Sequence, residues 1–156
     1  MASRRLLLRL LNLYPPYLGA GVRVKASSDR RTYEVRMKLR WWNRNYVGTH
    51  FGGSLYTMCD PFFMLMLVDA LGRGYIVWDK AATIRFRRPG RGTVRAVFHL
   101  PPERVEEIRA AADANRKVEP VFTVNVTDDE GEVVAEIEKL LYVRRKDPRD
   151  INDSKD

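Results

Sequence analysis

Gly52-Gly53-Ser54-Leu55-Tyr56-Thr57-Met58-Cys59-Asp60-Pro61-Phe62-Phe63-Met64-Leu65-Met66-Leu67-Val68 opens on a glycine pair and then runs almost wholly apolar towards Gly72. A glycine just past an apolar run is a common helix stop, and Gly53 or Ser54 can cap the first turn. A helix that is apolar on nearly every side belongs inside a protein. The stretch is short for a bilayer span, and Asp60 and Pro61 fall in its middle. It reads as the central core helix.

Asp60 is the single charge between Leu55 and Val68. A buried carboxylate must shift its pKa, pair or accept hydrogen bonds. Pro61 removes a helical N–H, at about 3 kcal/mol in a helix interior. Two locally unfavourable choices side by side mark a candidate site. The plainer alternative is that Asp60 caps a second helix with Pro61 at its first position.

The 156 residues are expected to form one domain over 1–145, with an N-terminal amphipathic helix, followed by a charged, disordered tail over 146–156. In the N-terminal segment Arg5, Arg9 and Asn12 share one side and leucines the other, up to Pro15-Pro16. Such a helix docks on its own domain or touches a membrane surface. Arg9 and the lack of a small-residue cleavage site argue against a signal peptide. The lone Cys59 excludes an intrachain disulfide framework and fits a reducing cytoplasm. The only histidines, His50 and His99, form no metal-binding pattern with cysteine. A net charge of +8 points to an anionic partner. No RNA-binding motif interleaves aromatics with the arginines, so nucleic acid is not expected.

Strands are expected at 22–26 and 32–39, and residues 41–50 read as a loop rich in aromatics and amides. After the central helix, 75–78 reads as a short strand. Ala82, Ile84 and Phe86 form one face of another, which ends at Pro89-Gly90. Residues 93–100 alternate again, and a surface helix follows at 103–112. Strands 121–127 and 133–143 are joined by a hairpin turn at Asp128-Asp129-Glu130-Gly131. The sum is an α+β domain, an antiparallel sheet of about six strands wrapped around one long helix.

This order resembles the hotdog-fold thioesterases, above all the branch typified by phenylacetyl-CoA thioesterase. Those proteins carry His-Gly-Gly, six residues and then an aspartate; here Gly52-Gly53 is followed by six residues and Asp60. Asn45 matches the family's upstream asparagine. The run Arg85-Phe86-Arg87-Arg88-Pro89-Gly90-Arg91-Gly92 looks like the family's strand and turn near the CoA phosphates. The pattern departs at the histidine, where Phe51 stands and His50 lies one residue earlier. The match also fits a poorly characterised bacterial subgroup of the fold.

The resemblance implies hydrolysis of an acyl-CoA thioester, in a homodimer or dimer of dimers, with CoA as part of the substrate and no other cofactor or metal. N–H groups of Gly52 and Gly53 at the helix start would polarise the carbonyl. The glycines can equally serve a tight turn. Asp60, supplied across the subunit interface, would act as general base or nucleophile. Thr49, His50 and Ser54 are candidates for positioning water or substrate. Arg85, Arg87, Arg88 and Arg91 would hold phosphates, unless they form only a solvated basic face. Asp69 is a rival acid, but nine residues on it lies about 180° around an ideal helix. Phe51 in the histidine position supports an alternative, a non-catalytic module that binds acyl-CoA or another anionic lipid.

Overall fold

The structure, a computed structural model, describes residues 10–147. Most of the expected N-terminal helix and nearly all of the tail lie outside them. From Asn12 the chain is tied down, because its side-chain amide donates to Val24 O (3.0 Å) and accepts from Val24 N (2.9 Å). Those bonds satisfy part of the open edge of a strand.

A short helix α1 (Pro15–Ala20) leads into β1 (Val22–Ala26) and β2 (Thr32–Lys38). Helices α2 (Gly52–Thr57) and α3 (Phe62–Leu71) precede β3 (Tyr75–Phe86) and β4 (Thr93–His99). Helix α4 (Pro102–Ala114) is followed by β5 (Val121–Thr127) and β6 (Val133–Arg145). The six strands form one antiparallel sheet in the order β1-β2-β4-β5-β6-β3.

Alternation along each strand separates a core face from an outer face. Tyr33, Val35 and Met37 of β2, Val94, Ala96 and Phe98 of β4, and Phe122, Val124 and Val126 of β5 all point inward and are buried. Helix α3 lies on this face. Phe62 packs on Phe98 with ring centroids 4.7 Å apart, and Phe63 stacks on Phe122 at 4.6 Å. Each such ring is worth about 2–3 kcal/mol of burial, so the α3 seam is a principal anchor of the sheet. Gly52–Leu71 is long and apolar enough to cross a membrane by length and composition alone, yet here it packs on the core face of the sheet. This is the wrapped-helix arrangement of the hotdog fold.

Two expectations need correction. The central helix is not one rod, because residues 58–61 form a turn between α2 and α3. Pro61, with no N–H to give, occupies the N-cap position of α3, and Asp60 makes no capping bond. Residues 75–78 and 82–86 are likewise not separate strands but parts of β3, joined through a β-bulge between Asp79 and Ala81. The bulge shifts the phase by one. Val77 and Asp79 sit opposite Val143 and Leu141 before it, and Ala82, Ile84 and Phe86 opposite Lys139, Ile137 and Ala135 after it.

Candidate active site

Strand β6 presents Ala135, Ile137, Lys139, Leu141 and Val143 to the core. Lys139 is fully buried in that row, at 0 % exposure. A lone ammonium there would cost several kcal/mol, so it must be paired. Its Nζ donates to Asp60 Oδ1 at 3.0 Å and to the Tyr56 hydroxyl oxygen at 3.0 Å, and lies 3.1 Å from Asp79 Oδ1. The Tyr56 hydroxyl in turn donates to Asp60 Oδ1 at 2.7 Å. The helix break turns Asp60 towards the sheet, and the β3 bulge turns Asp79 inward.

Burial alone would depress the Lys139 ammonium; its bonds to Tyr56 and Asp60 and the charges of Asp60 and Asp79 outweigh this and hold its pKa above the ordinary value. Desolvation, then the bond to Asp60, raises the Tyr56 pKa, so the phenol keeps its proton and donates it. Desolvation also raises the Asp79 pKa, against the pull of Lys139. The buried Cys59 thiol is pushed up by desolvation and stays protonated.

Both bonds to Asp60 fall on Oδ1, and among the described residues Oδ2 has no protein partner. The Asp60 side chain is 48 % exposed. The carboxylate is therefore pinned at one oxygen and open at the other, an arrangement suited to accepting a proton from water or attacking a carbonyl.

The start of α2 lies about two helical turns away, on the order of 10 Å along the chain's own axis. Phe51, extended at φ −64 and ψ 128, is the N-cap in place of Gly53 or Ser54, with no side-chain capping bond. Ser54 N and Leu55 N both donate to Phe51 O, while Gly52 N and Gly53 N find no backbone carbonyl among the described residues. Aromatic rings cover the Cβ side of both glycines. A Cβ at Gly53 would lie 2.5 Å from the Phe51 ring, and one at Gly52 would lie 2.9 Å from the Phe86 ring. Phe51, Gly53, Ser54 and Thr57 border a hollow of about 340 Å³ together with Trp42 and Arg44.

The preceding loop is held by the other sequence-predicted residues. Asn45 Oδ1 accepts from Val47 N and Thr49 N, and its Nδ2 donates to the Thr49 hydroxyl at 2.9 Å. Thr49 is buried. His50 N donates to Gly90 O, and Nε2, which must carry the proton, donates to Gly92 O at 3.1 Å. His50 is 2 % exposed, and burial lowers its pKa. Its imidazole thus clamps the Pro89–Gly92 turn to the loop, whereas Phe51, one residue on, faces outward and is 56 % exposed. That one-residue alternation is why a histidine at 50 does not take the place of one at 51.

The arginines divide. Arg85 and Arg87 both pair with Glu136, at 3.3 and 3.2 Å, on the outer face of the sheet, opposite the face that holds Asp60. Arg88 pairs with Asp128 and Glu132, both at 3.3 Å. Arg91 is exposed on the turn that His50 clamps, with no acidic partner among the described residues. The rival acid Asp69 is paired with Arg30 at 3.2 Å, away from this cluster.

The sequence pattern of the family described as "Domain of unknown function (DUF4442)" matches residues 3–143. The chain belongs to the DUF4442 family. No curated protein sequence matches it. Among solved structures it is similar to PA5026 of Pseudomonas aeruginosa, described as a protein of unknown function and probable thioesterase. The two are 26 % identical over 92 % of this chain and 96 % of that one, with a TM-score of 0.78. The fold is shared with the thioesterase HI1161 of Haemophilus influenzae, at 16 % identity, coverage of 89 % and 88 %, and a TM-score of 0.64. It is also shared with the PaaI protein of the E. coli phenylacetic acid degradation operon, at 18 % identity, 89 % coverage of each chain and a TM-score of 0.58. This DUF4442 chain thus has the hotdog fold.

Sequence reasoning missed Lys139, Asp79 and the polar use of Tyr56. A signal for Lys139 was present: it breaks the apolar series Ala135, Ile137, Leu141, Val143 at the strand period. Asp79 had none, because its inward direction depends on the bulge.

Proposed function

We propose that this DUF4442 protein hydrolyses an acyl-CoA thioester at a site assembled between two copies of the chain. The observation that carries the reading is Asp60, fixed through Oδ1 by Tyr56 and the buried Lys139 and open at Oδ2. In this mechanism Oδ2 takes a proton from a water whose oxygen attacks the thioester carbon. The oxyanion accepts hydrogen bonds from the Gly52 and Gly53 N–H groups. The tetrahedral adduct collapses, the carbon–sulfur bond breaks, and the thiolate of CoA receives the proton from Asp60.

Roughly 10 Å of helix separates Asp60 from Gly53, too far for both to serve one carbonyl within one chain. Asp60 of one copy facing Gly53 of another removes that difficulty. The outermost strand β3, with Ala81, Ala82 and Thr83 exposed, offers an edge for such pairing. Of the four candidate arginines, Arg91 is the one whose charge is not met by a carboxylate among the described residues, and it is assigned to the CoA phosphates. The lone buried thiol of Cys59 is in keeping with a cytoplasmic setting.

Purified protein is expected to release free thiol from one or more of a panel of short, medium, long and aryl acyl-CoAs, and Asp60→Asn to abolish release while melting normally. An inactive wild type across the panel would reject the mechanism. The second reading, a non-catalytic acyl-CoA-binding module, draws on the Phe51 ring seated against Gly53 and on the inward clamp of His50. CoA-ester binding with no turnover would select it.

A further inference from the structure

The outer face of β1, β2 and β4 carries a charge arrangement that folding alone does not favour. Arg23 of β1 is in register with Arg36 of β2, and Arg36 is in register with Arg95 of β4. Three guanidinium groups therefore stand side by side on neighbouring strands, spanning two inter-strand steps of about 5 Å each. Like charges directly opposite one another destabilise a sheet. Arg95 is relieved by Asp129 at 2.7 Å, with Lys38 also near that carboxylate. Arg23 reaches only the Val22 carbonyl, at 3.4 Å, and Arg36 has no acidic partner among the described residues. The other acid on this face, Glu34, stands opposite Lys25, one row along.

The row also forms a concave surface. Arg23, Arg36 and Arg95 line both a hollow of about 460 Å³ and one of about 640 Å³. In the smaller hollow they are joined by Lys38, Arg40, Trp42 and Leu18. Arg40 lies over the Trp42 ring at 5.6 Å, so its charge is held at the rim. This differs from the Arg85, Arg87 and Arg88 group, whose charges are met by Glu136, Asp128 and Glu132.

We propose that the Arg23–Arg36–Arg95 row is a binding site for a phosphate-bearing ligand, separate from the thioester site and independent of it. Planar guanidinium forks suit phosphate oxygens, and a bound phosphate supplies the negative charge that the row lacks. The phosphate comes from a soluble oligophosphate or from an anionic lipid headgroup, and two probes separate the sources. One is sodium tripolyphosphate, titrated by calorimetry at fixed ionic strength. The other is phosphatidylglycerol vesicles in a co-sedimentation assay, with phosphatidylcholine vesicles as the neutral control.

Wild-type protein is expected to bind at least one probe. Arg36→Ser should weaken that binding about tenfold, and Arg23→Ser with Arg36→Ser about a hundredfold. Arg85→Ser with Arg87→Ser removes the same net charge from the opposite, β3 edge of the sheet and should change affinity by no more than about twofold. Arg36→Ser should melt no lower than wild type, because it relieves like-charge contact. Binding of tripolyphosphate alone identifies a soluble ligand, and binding of vesicles alone a headgroup. The proposal is overturned if wild type binds neither probe, or if both double variants lose affinity equally.

Discussion

Replacing Lys139 by Met separates the two roles the buried ammonium can have. Methionine fills nearly the same length of apolar space, so no large cavity is left behind. Removing one partner of a buried ion pair usually costs about 3–5 kcal/mol, because the other charge is stranded. Here the stranded groups are not deeply buried: the Asp60 side chain is 48 % exposed and that of Asp79 25 %. Water can take the place of Nζ at Asp60, while the enclosed Oδ1 of Asp79, whose pKa desolvation already raises, can take up a proton instead, and the ammonium's own desolvation cost disappears with it. The expected stability change is therefore within about 1.5 kcal/mol in either direction, read from the urea midpoint and slope. Turnover should respond far more. Asp60 keeps the 2.7 Å bond from Tyr56 but loses one charge-assisted bond of about 1.5–3 kcal/mol. At about 1.4 kcal/mol per tenfold, kcat for thiol release should fall about 10- to 150-fold. KM should stay near wild type, since Lys139 is fully buried and does not touch substrate. Combined with Asp60→Asn, Lys139→Met should add almost no further loss, because both act through one carboxylate. Wild-type kcat in Lys139→Met would show that the clamp has no part in the chemistry. A destabilisation beyond about 3 kcal/mol would make the lysine a structural counter-charge instead.

The glycine pair and His50 give two further tests. Gly53→Ala should destabilise the protein by about 1 kcal/mol, because its Cβ would lie 2.5 Å from the Phe51 ring. In a Phe51→Ala background the same change should become stabilising by up to about 1 kcal/mol, as helix propensity then decides. Equal effects in both backgrounds would show that the ring is not what demands the glycine. Burial holds the folded His50 pKa below its ordinary 6.5. The unfolded chain therefore takes up this proton first as pH falls, so the histidine's contribution is complete above about pH 6.5 and is lost as pH drops towards the folded value. Denaturation at pH 7.5 and 5.5 should show a loss of stability in wild type that is smaller in His50→Gln. Identical pH slopes would place the imidazole in solvent.

The sheet was legible because most strands are buried on one face and so alternate cleanly. Val94, Ala96 and Phe98 announce β4 as plainly as Ala135 and Ile137 announce β6. The reading failed where a single residue resets the period. The bulge before Ala81 moves the core phase of β3 from Asp79 to Ala82, and this made one strand look like two. Asp60 and Pro61 were visible as an anomaly, but the sequence offered helix capping as an equal account. Deciding between them needed the partner, and Lys139 is 79 residues away. Long-range pairing of this kind leaves no local spacing to read. His50 shows the converse, since its residue type suggested chemistry while its direction, set by backbone alternation, commits it to the Gly92 carbonyl.

Three locally unfavourable features meet at one carboxylate. Pro61 interrupts the best apolar helix, Lys139 puts an ammonium in the inward row of a central strand, and a bulge breaks the ladder of β3 beside Asp79. Each costs stability where it stands. They arise in segments distant in sequence, yet they converge: the break lowers Asp60 to the sheet, the strand period aims Lys139 at it, and the bulge brings Asp79 to the same ammonium. An apolar trio would pack this place at less cost. What the polar arrangement achieves, and an apolar one would not, is an aspartate fixed in direction through one oxygen while the other meets solvent. In a merely structural ion pair that asymmetry would be incidental, since water satisfies the exposed oxygen. A general base does need it: the oxygen that accepts the proton must be free, and the carboxylate carrying it must not turn.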